Sequence, residues 1–121
     1  MYAALSSSGV VKIGRSRFPD VRKKQIARIF ARDFGSDIAA FEVCGWVLDF
    51  PVRTEETCLT CVRLELNPSV VRREWLLNVD FAAVVGIVRR ETEAESELEP
   101  ARRERLQRWL MRQMREEAFA A

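Results

Sequence analysis

The chain has 121 residues, 48% of them hydrophobic, and a net charge of +2. That is the length of one domain with enough apolar content for a packed core, so neither wholesale disorder nor a transmembrane span is expected. It contains no histidine, which excludes a Ser-His-Asp triad, a Cys-His pair, an HExxH zinc site and a two-histidine metal site within one chain.

Residues 2 to 6 (Tyr2-Ala3-Ala4-Leu5-Ser6) and 10 to 14 (Val10-Val11-Lys12-Ile13-Gly14) read as two short strands. Ser7-Ser8-Gly9 between them is turn chemistry, so a β-hairpin is expected. Ser16 and Pro19 mark a helix start, and the helix should run from Pro19 to Phe34, with Gly35 as its stop. Asp37 to Leu48 is the next strand; both of its faces are apolar except at Glu42, which predicts cover on both sides. Pro51 ends it. Arg53 to Leu66 reads as a helix with Cys58, Leu59, Val62 and Leu66 at core spacing.

Asn67-Pro68-Ser69 closes that helix, and Val70 to Leu77 reads as a short irregular or extended stretch. Asn78 is an expected N-cap for a helix from Val79 to Arg90 that buries Phe81, Val84, Val85 and Val88. Glu91 to Glu97 is acidic and poor in apolar residues, and reads as a solvated connector or frayed helix. Pro100 then opens a final helix to Ala118. Its narrow stripe of Leu106, Trp109, Leu110 and Met114 either packs back on the domain or pairs with a second copy or another protein. The expected fold is α+β: a small antiparallel three-stranded sheet flanked by helices over residues 1–90, then an acidic connector and charged amphipathic C-terminal helix over 91–121.

Charge is unevenly spread. Lys12, Arg15, Arg17, Arg22, Lys23, Lys24, Arg28 and Arg32 face the single acid Asp20 over that stretch, whereas residues 91–121 hold eight acids and six bases. Such a basic stripe suits an anionic partner, nucleic acid being the commonest, or is a solvated Arg-rich helix face. No basic-then-apolar leader follows Met1, so a cytoplasmic location with Cys44, Cys58 and Cys61 as reduced thiols is expected. Cys58-x-x-Cys61 lacks further ligands for zinc and reads as two small core residues. Trp46 and Trp75 fit core positions, leaving Trp109 for an interface.

Val11-Lys12-Ile13-Gly14-Arg15-Ser16, then Pro19-Asp20-Val21-Arg22, Glu56-Thr57-Cys58-Leu59-Thr60 and Glu74-Trp75-Leu76 occur in that order. Together they resemble the GIY-YIG nuclease superfamily, in the phage- and bacterium-associated branch whose second motif reads KIG. The resemblance covers residues 1–90. It implies a DNA endonuclease using one Mg²⁺ (or Mn²⁺), with Arg22 stabilising phosphoryl charge and Glu56 holding the metal. It further implies Tyr2 and Lys12 as supporting catalytic groups, and a Gly14 that permits close approach to the strand. Arg15, Arg17, Lys23 and Arg28 are the expected contacts to the DNA backbone.

The residues support Arg22 independently. It lies four positions before Ile26, on the stripe that Ile26, Ile29 and Phe30 define, where a structural helix carries an apolar residue. The bland alternative is that it snorkels to solvent or pairs with Asp20 or Glu56. Helical spacing alone places Glu55 above Cys58, Leu59 and Val62, whereas the motif register selects Glu56. Lys12 stands at the second tyrosine position and Thr60 at the usual histidine. Those departures motivate a second expectation, a scaffold that binds nucleic acid or protein for a mobile element without cutting.

Overall fold

The computed structural model describes residues 1–49, 51–72 and 74–120. Its strands are β1 (Tyr2–Ser6), β2 (Val11–Gly14), β3 (Ile38–Val43), β4 (Ser69–Val71) and β5 (Trp75–Leu77). The helices are α1 (Pro19–Phe34), α2 (Pro51–Leu66) and α3 (Phe81–Ala120). All pairings are antiparallel, in the order β3-β1-β2-β5-β4.

The hairpin and the first helix form as their sequence predicts. Gly35 ends α1 in the left-handed conformation, φ 58°, and its amide caps the Phe30 carbonyl. Alternation along the strands then makes two cores. On one face Tyr2, Ala4, Val10 and Trp75 pack against Ile26 and Phe30 of α1. On the other Ala3, Val11, Ile13 and Leu76 pack against Cys58 and Val62 of α2 and against Val84 and Val88 of α3. The result is three layers, α1, sheet, then α2 with α3.

The sheet has five strands, not the three expected. The stretch 70–77 takes the extended form of its two expected ones and adds two strands: β4 and β5 pair Val70 with Leu76, and β5 continues the sheet by pairing Val11 with Leu76 and Lys12 with Trp75. Three-residue strands are too short to show a period, and Arg72 turns with φ 50° where a hairpin signal would call for Gly or Asn. Arg73 lies outside the described residues.

Strand β3 is also shorter than expected. The Cys44 amide still donates to the Met1 carbonyl (2.9 Å), but Gly45 turns with φ 150° and its carbonyl accepts from the Met1 amino group at 2.8 Å. Trp46 thereby leaves the sheet and is 54% exposed, not a core residue. Since β3 is an edge strand, it is half-exposed and not covered on both sides.

Helix α3 runs unbroken through the acidic stretch and through Pro100. At 1.5 Å per residue its 40 residues span roughly 60 Å. Its start is capped by Asp80, whose Oδ2 accepts from the Ala83 amide; Asn78 sits at φ 56° and is no N-cap. The acidic segment stays helical because its inward face is polar. Thr92 and Glu99 are buried, and Glu99 Oε1 accepts from the amides of Leu48 (2.9 Å) and Asp49 (3.0 Å). Beyond Glu99 the helix is almost wholly exposed, and Leu106, Trp109, Leu110 and Met114 lie uncovered. Among the described residues no helix is long and apolar enough to cross a membrane.

Glu99→Ala removes the shared acceptor of the Leu48 and Asp49 amides and should cost roughly 0.5–1.5 kcal/mol in a denaturant melt. Deleting residues 107–121 should change stability by less than about 0.5 kcal/mol, because that segment buries little.

Candidate functional site

One end of the sheet, where β1 begins and β2 stops, gathers most of the residues singled out by sequence. Tyr2 and Gly14 stand directly opposite in the β1–β2 register, on the face that α1 covers. Glycine lets the Tyr2 ring lie across the neighbouring strand. A Cβ at Gly14 would meet Tyr2 Cζ at 2.6 Å and Cε1 at 2.9 Å, inside any tolerable contact. Phe41 stacks on the other side of the ring, centroids 4.9 Å apart.

So held, the Tyr2 hydroxyl accepts a hydrogen bond from Arg22 Nε at 3.1 Å. Arg22 is in the first turns of α1, one turn before the buried Ile26, and its Nη1 donates to Gln25 Oε1 at 3.0 Å. Its partners are therefore neither Asp20 nor Glu56. Nη2 has no protein partner among the described residues, which leaves one edge of the planar fork for an anion. Burial pushes the Tyr2 phenol above its ordinary pKa near 10, against the lowering effect of Arg22; Glu55 and Glu74 add to the rise. The phenol is protonated at neutral pH and acts as a hydrogen-bonding group, not as a free base.

Lys12 lies on the same face but inside. Its ammonium bonds Glu74 Oε2 at 2.9 Å and sits 5.4 Å from the Trp75 ring centroid. Glu74 and Trp75 thus neutralise and shelter the lysine that the β2–β5 pairing sets opposite Trp75.

Helix α2 turns Glu55, not Glu56, toward this end. Thr54, Cys58 and Val62 are its buried stripe, Glu55 is half-buried beside it, and Glu55 Oε2 accepts from Arg15 Nε at 3.0 Å. Glu56 is exposed and its side chain has no partner among the described residues. The helical spacing of Cys58, Leu59 and Val62 signals Glu55; the motif register points one residue further on.

Arg15 and Arg17 are exposed and line a cleft of about 360 Å³ with Met1, Trp46, Leu48 and Pro51; Tyr2, Arg22 and Glu55 are not among its lining residues. Lys23 and Arg28 are on the solvent side of α1, away from that cleft, without ion pairs among the described residues. Among the described residues no three Asp, Glu, Cys or His side chains gather into a metal-binding group. Cys58 is buried and its thiol is pushed up to about 11 by that burial, so it is a core residue with little thiolate at neutral pH. Cys61 is half-buried, and Cys44 is buried on the sheet's α2 side.

No protein-family model, curated protein or solved structure matches this chain.

Two outcomes follow from the Tyr2 seat. Gly14→Ala forces the ring to move and should cost roughly 1–3 kcal/mol while breaking the Arg22 bond. Tyr2 is the only tyrosine, so its phenolate absorbance titrates alone. The native midpoint should lie above that of the denatured chain. A proton held more tightly in the native state stabilises fully below the unfolded value near 10 and is lost as pH rises through the native one.

Proposed function

We propose that the chain cleaves phosphodiester bonds of DNA with one divalent cation, as its resemblance to GIY-YIG nucleases implies. The observation that carries the reading is the Arg22 guanidinium, tied to Tyr2 by one edge and without a partner at Nη2 among the described residues, at the end of the sheet where β2 stops and the segment holding Arg15 and Arg17 begins. A fixed guanidinium is complementary to charge growing on phosphoryl oxygens, and it stabilises the transition state without reorganising.

The cation's fit is narrow. There is no protein-only cage among the described residues, but Mg²⁺ is commonly held by one or two carboxylates, with water and substrate phosphate completing its shell. Glu55 would hold it, being half-buried, facing the Tyr2 end of the sheet and near enough to act electrostatically on that phenol. When bound, such an ion supplies Lewis-acid polarisation of the phosphate and of the leaving oxygen. Tyr2, protonated at neutral pH, orients a water or a phosphate oxygen through its hydroxyl. Lys12, paired with Glu74, braces β2 against the segment that leads into β5.

A second reading has its own observation. Both carboxylates near Tyr2 are already paired with cations, Glu55 with Arg15 and Glu74 with Lys12. A site neutralised in this way favours binding nucleic acid without cutting it.

Plasmid nicking in Mg²⁺ or Mn²⁺ separates the two. The nuclease reading expects Arg22→Ala and Glu55→Gln each to lose on the order of 10²–10³-fold in rate, with Glu56→Gln close to wild type. Intact plasmid from folded wild type at every metal concentration contradicts it and leaves the binding reading.

A further inference from the structure

The cleft lined by Arg15 and Arg17 does not stand alone. Its loop wall, which includes Trp46 and Leu48, continues through Asp49 into a second cleft of about 500 Å³ between the start of α2 and the middle of α3. Among the described residues the second cleft is lined by Arg53, Arg102, Arg103, Arg105, Leu106 and Asp49.

These arginines differ in what already holds them. Arg102 is paired with Glu95, and Arg103 Nε bonds Asp49 Oδ2 at 2.6 Å with Glu99 beside it. Arg53 and Arg105 are exposed and have no side-chain partner among the described residues. Arg103 therefore braces the cleft wall, while Arg53 and Arg105 keep free forks suited to phosphate oxygens. Arg53 also lies in the first turn of α2, which contains no acidic residue to offset the positive end of the helix dipole.

The first cleft adds an aromatic surface. Trp46 is 54% exposed and shares that cleft with Arg15 and Arg17, three residues before Asp49 of the second cleft. An exposed indole flanked by guanidinium groups is the arrangement on which an unpaired base stacks while its backbone is held by charge. A free phosphate or a lipid headgroup has no use for the indole face.

We propose that the two clefts form one track for a single strand of nucleic acid. A base stacks on Trp46, and backbone phosphates are held by Arg17 at one end and by Arg53 and Arg105 at the other. The inference rests on the nucleic-acid reading above and makes α3 part of the binding surface. The loop between the clefts is fixed to α3 by Glu99 and by Ser96, whose hydroxyl donates to the Trp46 carbonyl at 3.0 Å.

The test is fluorescence anisotropy with a labelled oligothymidine strand, with EDTA present so that cleavage plays no part, across a salt series. Arg53→Ala/Arg105→Ala should weaken binding at least about tenfold. It should also flatten the slope of log affinity against log salt by about 1.4, from two lost contacts at roughly 0.7 each. Trp46→Ala should weaken binding roughly 5- to 150-fold and leave that slope unchanged. All three substituted residues are exposed, and circular dichroism checks that the variants remain folded. A wild type that does not bind the strand, or variants that bind as wild type does, overturns the track. If that wild type nevertheless nicks plasmid, the nuclease reading survives the loss; binding through these residues without nicking supports the track and removes the nuclease.

Discussion

The seat of Tyr2 on Gly14 is the constraint on which the rest of the site depends. A phenol is too large to lie across an adjacent strand that carries a Cβ, so the missing side chain at Gly14 determines where the Tyr2 hydroxyl goes. The hydroxyl in turn takes the Arg22 hydrogen bond and draws the start of α1 toward the end of the sheet. Because the ring is also stacked on Phe41 of β3, one side chain links three strands and a helix. Everything argued for the guanidinium follows from its being held there and not free in solvent.

A second set of contacts brings distant parts of the chain to that end. The segment leaving β3 is tied at Gly45 to the amino group of Met1, and beyond it Leu48 and Asp49 are tied to Glu99 of α3. The long helix is therefore not an appendage hung on a finished domain. Its first half buries Val84, Val85 and Val88 in the core, its middle holds the cleft loop by polar contacts, and only its last part is free. Charge follows the same division. Arg90 pairs with Glu65 of α2 near the core, whereas Arg105 at the cleft has no side-chain partner among the described residues.

How much of this was legible in the sequence depends on the kind of force that holds each part. The β1–β2 hairpin, α1 with its Gly35 stop, and α2 are marked by turn chemistry, a left-handed stop and apolar periodicity, which act within a few residues of the chain. Strand β5 is defined by pairing with a strand more than fifty residues earlier, β4 by pairing with β5 in turn, and three residues show no period. The acidic stretch of α3 was unreadable for another reason: its buried face is Thr92 and Glu99, polar side chains satisfied by or packed against a remote loop. Trp46 leaves its expected core position because the chain turns at Gly45, whose carbonyl accepts from the remote amino group of Met1. Position on a helical stripe puts Arg22 one turn before Ile26, where it meets Tyr2, and the same spacing puts Glu55 beside Cys58, whereas Glu56, which the motif register selects, is exposed. Glu74 as the partner of Lys12 requires the β2–β5 register, which no local pattern gives.

The central claim is that Tyr2 and Arg22 act as a coupled pair. A double-mutant cycle of Tyr2→Phe and Arg22→Ala, read by denaturant unfolding, measures that coupling directly. If the hydroxyl and the guanidinium are bonded as described, the two losses will be non-additive, with an interaction energy of about 0.5–1.5 kcal/mol. Additive losses would mean that Arg22 is not held by Tyr2, and the positioned guanidinium would have to be given up.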